Sequence, residues 1–454
     1  MESTVIANDE FLKVESLGLE EVRDDQRHGR PRDLGFLWAG AFVNYASVLT
    51  ASLLTNYFGL GVWDGLLAVL CGSLAGAVIL GLLSNTGVRS GLPQIVFTRR
   101  ILGGAGAKAG AFLTLFLAVG WFAVDTVIAA QAGSQLLGGG GKLATFVWTL
   151  VIAAVSVAVA VYGHKTIQVL ETWGAIAFAV LSVALFIALA GQMNWTAGPA
   201  KTGADYPGAF VLGFMSCFAL VASWYPFASD YSRYLPRPSS VRAVTCWPVA
   251  GIVLPMLLLG LFGLLIPTID PRLAATDPNG PIAVISKHGG WVAIPFFLFV
   301  IAGEIWANYL DVYTAGLVTL TLGVRLRRWQ TALGCGVLGS LLAAYAVLIT
   351  DFHSAYTDFL ILTYLWAPAW AAVVLLTFFV FGDARPTHAL VAWVAGTACS
   401  LLFVNYPNLF GAVFPDAHFP NQPMIGFLHG ADLSGLVGLV VAAGVYTVLR
   451  RARA

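Results

Sequence analysis

Charge is what this sequence has least of. Asp, Glu, Lys and Arg make up 10% of its 454 residues, against about 25% in an ordinary soluble domain. That excludes a fully water-exposed surface for a chain this long. With 58% apolar residues and a mean hydropathy of +0.82, it reads as a polytopic membrane protein. The net charge of +1 says nothing about nucleic acid, but no basic patch interleaved with aromatics suggests it as a partner. The few cysteines, Cys71, Cys217, Cys246, Cys335 and Cys399, lie in apolar runs and form no CxxC pair. Neither a zinc site nor a disulfide framework follows from them. The histidines make no HExxH, and the Gly138 to Gly141 run lacks the Lys-Ser/Thr of a phosphate loop. No nucleophile–base pair or metal cluster marks an enzyme. No ring of polar side chains or repeated filter marks a channel. Residues 1–33 lack the apolar core of a signal peptide and read as a polar tail.

What is present is a series of apolar runs of about 20 residues, each long enough to cross a bilayer as a helix. Twelve are expected, at 34–56, 60–83, 109–137, 143–163, 167–191, 207–234, 241–266, 290–323, 331–350, 357–381, 387–405 and 434–449. The proline-rich segment 406–433 reads as an irregular loop. With the N-terminus placed inside, 20 of the 24 Lys and Arg residues fall on the inner side. Only Lys142, Lys201, Arg272 and Lys287 fall outside. Such an asymmetry predicts cytoplasmic termini in a multi-pass cell-membrane protein.

Two of these runs look interrupted. The first contains Trp38 to Tyr45, small and polar for a helix centre, with Ala41 and Asn44 inside it. The sixth contains Ser223-Trp224-Tyr225-Pro226, where proline removes a backbone donor. Small residues at either place also serve close helix packing. Breaks at matching positions five helices apart, however, point to an inverted repeat with a binding site at the breaks. The expected organisation is a tail (1–33), a first five-helix repeat (34–191) and a second (207–381). Two peripheral helices (387–449) and a short inner end (450–454) complete it.

The acids inside the runs are the next signal. An ionisable residue at membrane depth costs about 2.5–3.5 kcal/mol on insertion scales and marks a functional site by default. Trp121 and Asp125 are four apart in the third helix and share a face. Glu304, Asn308, Asp311 and Ala315 share a face of the eighth, the symmetry-related helix. An aromatic plane beside carboxylates suits a small flat polar molecule. A packing role for Trp121, and a purely structural role for Asp125, Glu304, Asn308 or Asp311, are the plainer alternatives. Asp230 and Arg233, three apart at the inner end of helix six, read as a pair or an inner gate. Glu171, near the inner end of helix five, reads as structural or gating.

The segments Gly120 to Asp125, Pro226 to Tyr234 and Asn308 to Leu317 together resemble the nucleobase:cation symporter-1 family, which includes the purine–cytosine permeases. The resemblance implies a LeuT-type fold: two inverted five-helix repeats plus two peripheral helices. It implies cation symport of cytosine, purines, uracil, allantoin, hydantoins or vitamin-like pyrimidines. It places a ring-stacking tryptophan at Trp121 and a ring-binding side chain at Asp125. The ring-covering aromatic falls at Phe218, with Val221 as the stricter match. The helix-eight substrate ligand falls at Asp311, with Asn308 one turn earlier. Asn44 and Ser223 at the breaks join the candidate substrate contacts.

Carboxylates stand where the family has amides, and a carboxylate only accepts hydrogen bonds unless protonated. That favours an amino-bearing base such as cytosine or adenine. Sodium-coupled members use helix-one carbonyls, here Ala41, and helix-eight hydroxyls. Ala302 to Trp306 has no hydroxyl, so titrating carboxyls at Glu304, Asp311 or Asp125 favour proton coupling. No cofactor beyond the co-transported H+ or Na+ is implied. The alternatives are a sodium-coupled carrier of allantoin, hydantoin or an amino acid, and, less favoured, a membrane sensor or channel.

Overall fold

The computed structural model describes residues 19–136, 141–162, 164–276, 280–349, 359, 362, 364–405 and 422–452. Among them the regular elements are all helical. The first span is two helices, α1 (Pro31–Phe42) and α2 (Tyr45–Asn56), bent by 60° at Val43–Asn44. Pro31 suits the first helical position, where its missing N–H is not needed. Asn44 starts α2 as a cap, accepting from the Ser47 N–H at 3.1 Å. The expected break in helix one is therefore real, and it is closed by its own asparagine.

Helix α3 (Val62–Ser90) runs beyond the expected end at 83. Its last turns are polar but buried. Ser84, Asn85 and Thr86 each donate back to a carbonyl of the same helix, at 2.7–3.0 Å, and Asn85 also reaches Thr245. Hydropathy does not register polar groups satisfied in this way. Helix α4 (Gln94–Leu136) starts well before the expected 109 and turns at Gly103, whose φ of 70° only glycine adopts easily. Helices α5 (Lys142–Tyr162) and α6 (His164–Leu189) follow, the latter holding Glu171, whose side chain lies outside the described set. The sixth span is α7 (Asp205–Ala222), a tight turn at Tyr225–Phe227 and α8 (Ala228–Ser232), interrupted at Ser223–Trp224 as expected.

Beyond it come α9 (Val241–Leu265), the short α10 (Pro271–Thr276) and α11 (Gly280–His288), α12 (Ala293–Thr321) and α13 (Arg328–Leu348). Helix α14 (Ala367–Leu376) continues by one wider turn to Phe381. Helices α15 (Pro386–Ser400), α16 (Gln422–Phe427) and α17 (Ser434–Arg451) complete the chain. A helix lies within each of the twelve expected spans. Eight are long and apolar enough to cross a membrane, and the bent α1–α2 pair makes a ninth among the described residues. Most of the expected 406–433 loop and the first part of the tenth span lie outside the described residues.

Helices α4 and α12 lie side by side at the centre, with α1 and α2 against α9 and with α3 against α7 and α9. Helices α15 and α17 pair with each other and with α14 at the periphery. The second half of the polar tail is not free. Val22 N–H donates to Gly91 O at 2.9 Å and His28 N–H to Tyr234 O at 2.7 Å. Arg27 donates to Val88 O and Leu235 O, and Arg237 clasps Asp24 and Glu21 at 2.7 Å each. This strap covers the end of the bundle that carries the termini.

At the far end, Asp270 caps α10 through the Leu273 N–H at 3.1 Å. It also meets His288 at 2.8 Å and Lys287 at 3.0 Å at the end of α11. The His288 hydrogen bond, then the Leu273 N–H and Lys287, hold its carboxyl below the usual carboxylate range. A depressed carboxyl stabilises above its unfolded value of about 3.9 and loses that contribution as pH falls through the folded value. Above pH 5 the clasp is therefore intact. Asp270→Asn is expected to speed amide hydrogen exchange across Pro271–His288 at neutral pH. Unchanged exchange there would remove the clasp from the account of this end.

Candidate functional site

The buried acids converge. Asp125 on α4 and Glu304 and Asp311 on α12 are each at most 2% exposed. The carboxyl groups of Asp125 and Glu304 face each other at interaction distance. Asp311 interacts electrostatically with both. Two helices that pack along their length bring Asp125 of α4 to the acidic face of α12, so one acid joins two others far along the chain in one cluster.

Glu304 also reaches the break of the first span. Its Oε1 accepts the Ala46 N–H at 3.0 Å. Ala46 lies in the first turn of α2, where orphan N–H groups and the helix dipole favour an anion. Approach of α12 this close depends on Gly303: a Cβ there would stand 3.1 Å from Asn44 Cα and from Val43 O. Asn44 itself is engaged within the break, donating to Ala41 O at 3.0 Å and accepting from Ser47 N–H. Ser47 Oγ donates to Phe42 O at 2.8 Å. The polar residues of the break thus satisfy one another, and Glu304 ties them to the acid cluster.

Several acceptor oxygens in the cluster have no hydrogen-bond partner among the described residues. They are Asp125 Oδ1, Glu304 Oε2 and both oxygens of Asp311. Buried polar atoms are almost always paired, so a group of unmatched acceptors at one place calls for a donor-bearing guest or for protons.

Trp121 lies one turn before Asp125, 4% exposed, with its ring edge-on to Phe359 at 5.5 Å. Asn308 turns aside from Asp311. Its Nδ2 donates to Thr126 Oγ1 at 3.0 Å and to Ser156 Oγ at 3.3 Å, tying α12 to α4 and α5. Ser223 donates to Leu220 O at 2.8 Å and finishes α7. Phe218 stacks on Phe214 and meets Tyr225 edge-on, and its ring edge faces Gly435 of α17. The aromatic that faces the helix-one half at the sixth-span break is Trp224, against Trp38 at 5.7 Å and Phe42 at 6.2 Å. Trp38, Phe42, Trp224, Phe359, Thr126 and Ser156 were not among the residues expected from sequence. Trp38 and Trp224 had a signal, since Trp38 opens the small-polar stretch of the first span and Trp224 lies two residues before Pro226.

Toward the terminal end the cluster is sealed in layers. Trp38 also packs on Tyr231, and Tyr231 on Tyr313. Below them Asp230 accepts from the Gln94 N–H at 2.9 Å and from Thr314 Oγ1 at 2.8 Å. Gln94 Oε1 in turn accepts from Ser229 Oγ at 2.7 Å. Arg233 donates to the hydroxyls of Tyr234 and Tyr313 and lies over the Tyr234 ring. It interacts electrostatically with Asp230, but the acid's two oxygens bond to Gln94 and Thr314. The expected pair is therefore part of a wider polar layer joining the start of α4, α8 and α12, with the strap outside it.

A family model described as permease for cytosine/purines, uracil, thiamine, allantoin matches residues 21–438. A putative purine-cytosine permease of Bacillus subtilis (strain 168), YxlA, is 25% identical and covers 97% of each chain. The purine-cytosine permease fcyB of Emericella nidulans is also 25% identical, over 82% of this chain and 74% of its own. Among solved structures, Mhp1, a nucleobase-cation-symport-1 family transporter in a closed conformation with bromovinylhydantoin bound, superposes with a TM-score of 0.72. It covers 96% of this chain and 95% of its own at 16% identity, a likeness of fold. The family match spans nearly the whole chain, and the helix arrangement agrees with it. The chain is thus a member of the family of permeases for cytosine/purines, uracil, thiamine and allantoin, a multi-pass secondary transporter of LeuT-type fold rather than an enzyme.

Proposed function

We propose that this transporter imports a nucleobase or related heterocycle, with cytosine or a purine favoured, by proton symport and alternating access. The observation that carries the reading is the acceptor-rich cluster of Asp125, Glu304 and Asp311 beside Trp121. A ring that brings N–H and amino donors complements unmatched carboxyl oxygens, and a tryptophan face complements the ring plane. Phe359 is the side wall of the Trp121 face. A substrate carboxylate would face three acids, which weighs against an amino acid as cargo.

Protons are the coupling ion on this reading because carboxyls as close as those of Asp125 and Glu304 bond to each other only through a proton. Glu304 accepts from the start of α2 and lies beside Asp125, so a proton gained or lost there alters what holds the broken helix. Sodium coupling is the competing reading, through the backbone carbonyls of the break. There, however, the Ala41 and Phe42 carbonyls already accept from Asn44 and Ser47, and sodium would have to displace or share those donors. The termini are placed in the cytoplasm by the basic-residue asymmetry. Residues 34–191 and 207–381 are taken as the two repeats and 387–449 as the peripheral pair. In this orientation the strap and the layers around Asp230 and Trp224 form the inner gate, which opens as α1 and α8 swing away.

The test is uptake of radiolabelled cytosine into proteoliposomes. Full activity in sodium-free buffer with an inward proton gradient, abolished by a protonophore, is the expected result. An absolute sodium requirement would refute proton coupling, and absence of cytosine or purine uptake under every gradient would refute the substrate class.

A further inference from the structure

On the side of α1 turned away from the acid cluster lies an apolar groove of about 300 Å³. Its walls are Phe36, Ala39 and Val43 of α1, Ile176 of α6, and Trp247 and Leu254 of α9, among others. Three of these are substantially exposed: Ile176 at 45%, Trp247 at 44% and Leu254 at 66%. In a membrane-spanning chain that exposure faces hydrocarbon. The α9 stretch from Trp247 to Leu258 that lines the groove is about 16 Å long at about 1.5 Å per residue. One leaflet of a bilayer with a hydrocarbon core of about 30 Å is about as deep.

The groove starts at the terminal end, where Arg30, Arg32 and Arg242 are exposed and Asp33 is the nearby acid. Trp247, at its mouth, has the amphipathic character of an interface anchor. Its inner end is Val43, the first residue of the α1–α2 break. Helices α1 and α9 touch beside it almost backbone to backbone. A Cβ on Gly251 would collide with Gly35 O, and one on Gly35 would stand 3.0 Å from the Trp247 ring. Trp247 packs on Gly35 there, and the half-helix that must move is held by this close surface fit.

We propose that this groove binds one acyl chain of an anionic phospholipid, its headgroup on Arg30, Arg32 and Arg242, and that the bound chain props α1 in its place against α9. The assignment to the inner leaflet rests on the orientation given above. The groove itself does not, because symmetric vesicles present the same lipid on both sides.

The full chain is reconstituted in phosphatidylcholine vesicles containing phosphatidylglycerol with a diazirine at the acyl-chain end, irradiated and mapped by mass spectrometry. Adducts are expected to concentrate on peptides covering 35–43 and 247–258. Ala250→Phe, which fills the groove, is expected to lower them at least fivefold and leave adducts on the exposed face of α13 unchanged. Ala179→Phe, from the opposite wall, serves if the first variant does not fold. Labelling spread evenly over α13 and the groove, or insensitive to both substitutions, overturns the site. Carrying the same diazirine on phosphatidylcholine is expected to reduce groove adducts severalfold, and equal labelling overturns the anionic preference. Protease protection of a C-terminal tag in sealed vesicles of known orientation checks the leaflet separately.

Discussion

Asp125→Asn is expected to abolish accumulation of substrate driven by a proton gradient, by at least tenfold, while preserving exchange of substrate across the membrane. The asparagine amide can donate permanently to Glu304 and so imitate the state in which the pair holds its proton. A carrier fixed in that state still moves cargo down its gradient but no longer exchanges the proton that drives it uphill. Hydrogen bonds to charged groups contribute about 1.5–3 kcal/mol, and about 1.4 kcal/mol is tenfold, which sets the expected scale. Counterflow and pH-jump uptake measured on the same proteoliposomes separate the two activities. Accumulation at wild-type level, with wild-type pH dependence, would remove Asp125 from coupling. Loss of both activities at normal protein abundance would assign it to binding instead.

Trp121→Ala is expected to remove most uptake while leaving membrane abundance intact. Stacking a base on an aromatic ring contributes about 1–3 kcal/mol, so apparent affinity should fall between about fivefold and about 150-fold. Trp121→Phe should retain part of it, since a smaller face remains. The ring is set by Phe359 edge-on at 5.5 Å, so truncating either residue loosens the same wall. Normal uptake by the alanine variant would sink the assignment of this face to the substrate. Because Trp121 and Asp125 sit one turn apart but act on different properties, the two variants should differ in kind. One changes the concentration dependence of uptake, and the other changes its dependence on the proton gradient.

The twelve spans, both breaks and the acidic faces of the third and eighth helices were legible without a structure. Each is written in local sequence: a run of apolar residues, a proline or asparagine inside it, or an acid three or four residues from a tryptophan or an amide. The boundaries that failed did so for one reason. The ends of α3 and the start of α4 are polar, and they are buried because partners far along the chain satisfy them, as Thr245 does for Asn85 and Asp230 for Gln94. Hydropathy reads residues singly and cannot see a hydrogen bond 136 positions away.

The same limit governs the site. Residue type and spacing alone identified Trp121, Asp125, Glu304 and Asp311 as chemically costly residues sharing helix faces. They could not say that Glu304 would meet Asp125 and bond to the first turn of α2, or that Asn308 would point to Thr126 and Ser156 rather than into the cluster. Nor could they separate Phe218, packed toward α17, from Trp224, which faces α1. Those outcomes depend on how α4, α12 and the broken first span rotate against one another. That rotation shows in close contacts such as Gly303 on the break, where an added methyl group would stand 3.1 Å from the break's backbone. What this sequence determined by itself is which residues are too polar for a membrane interior to be there without a purpose. The tertiary structure alone decided which of them lie side by side, because distance between helices is a property of packing.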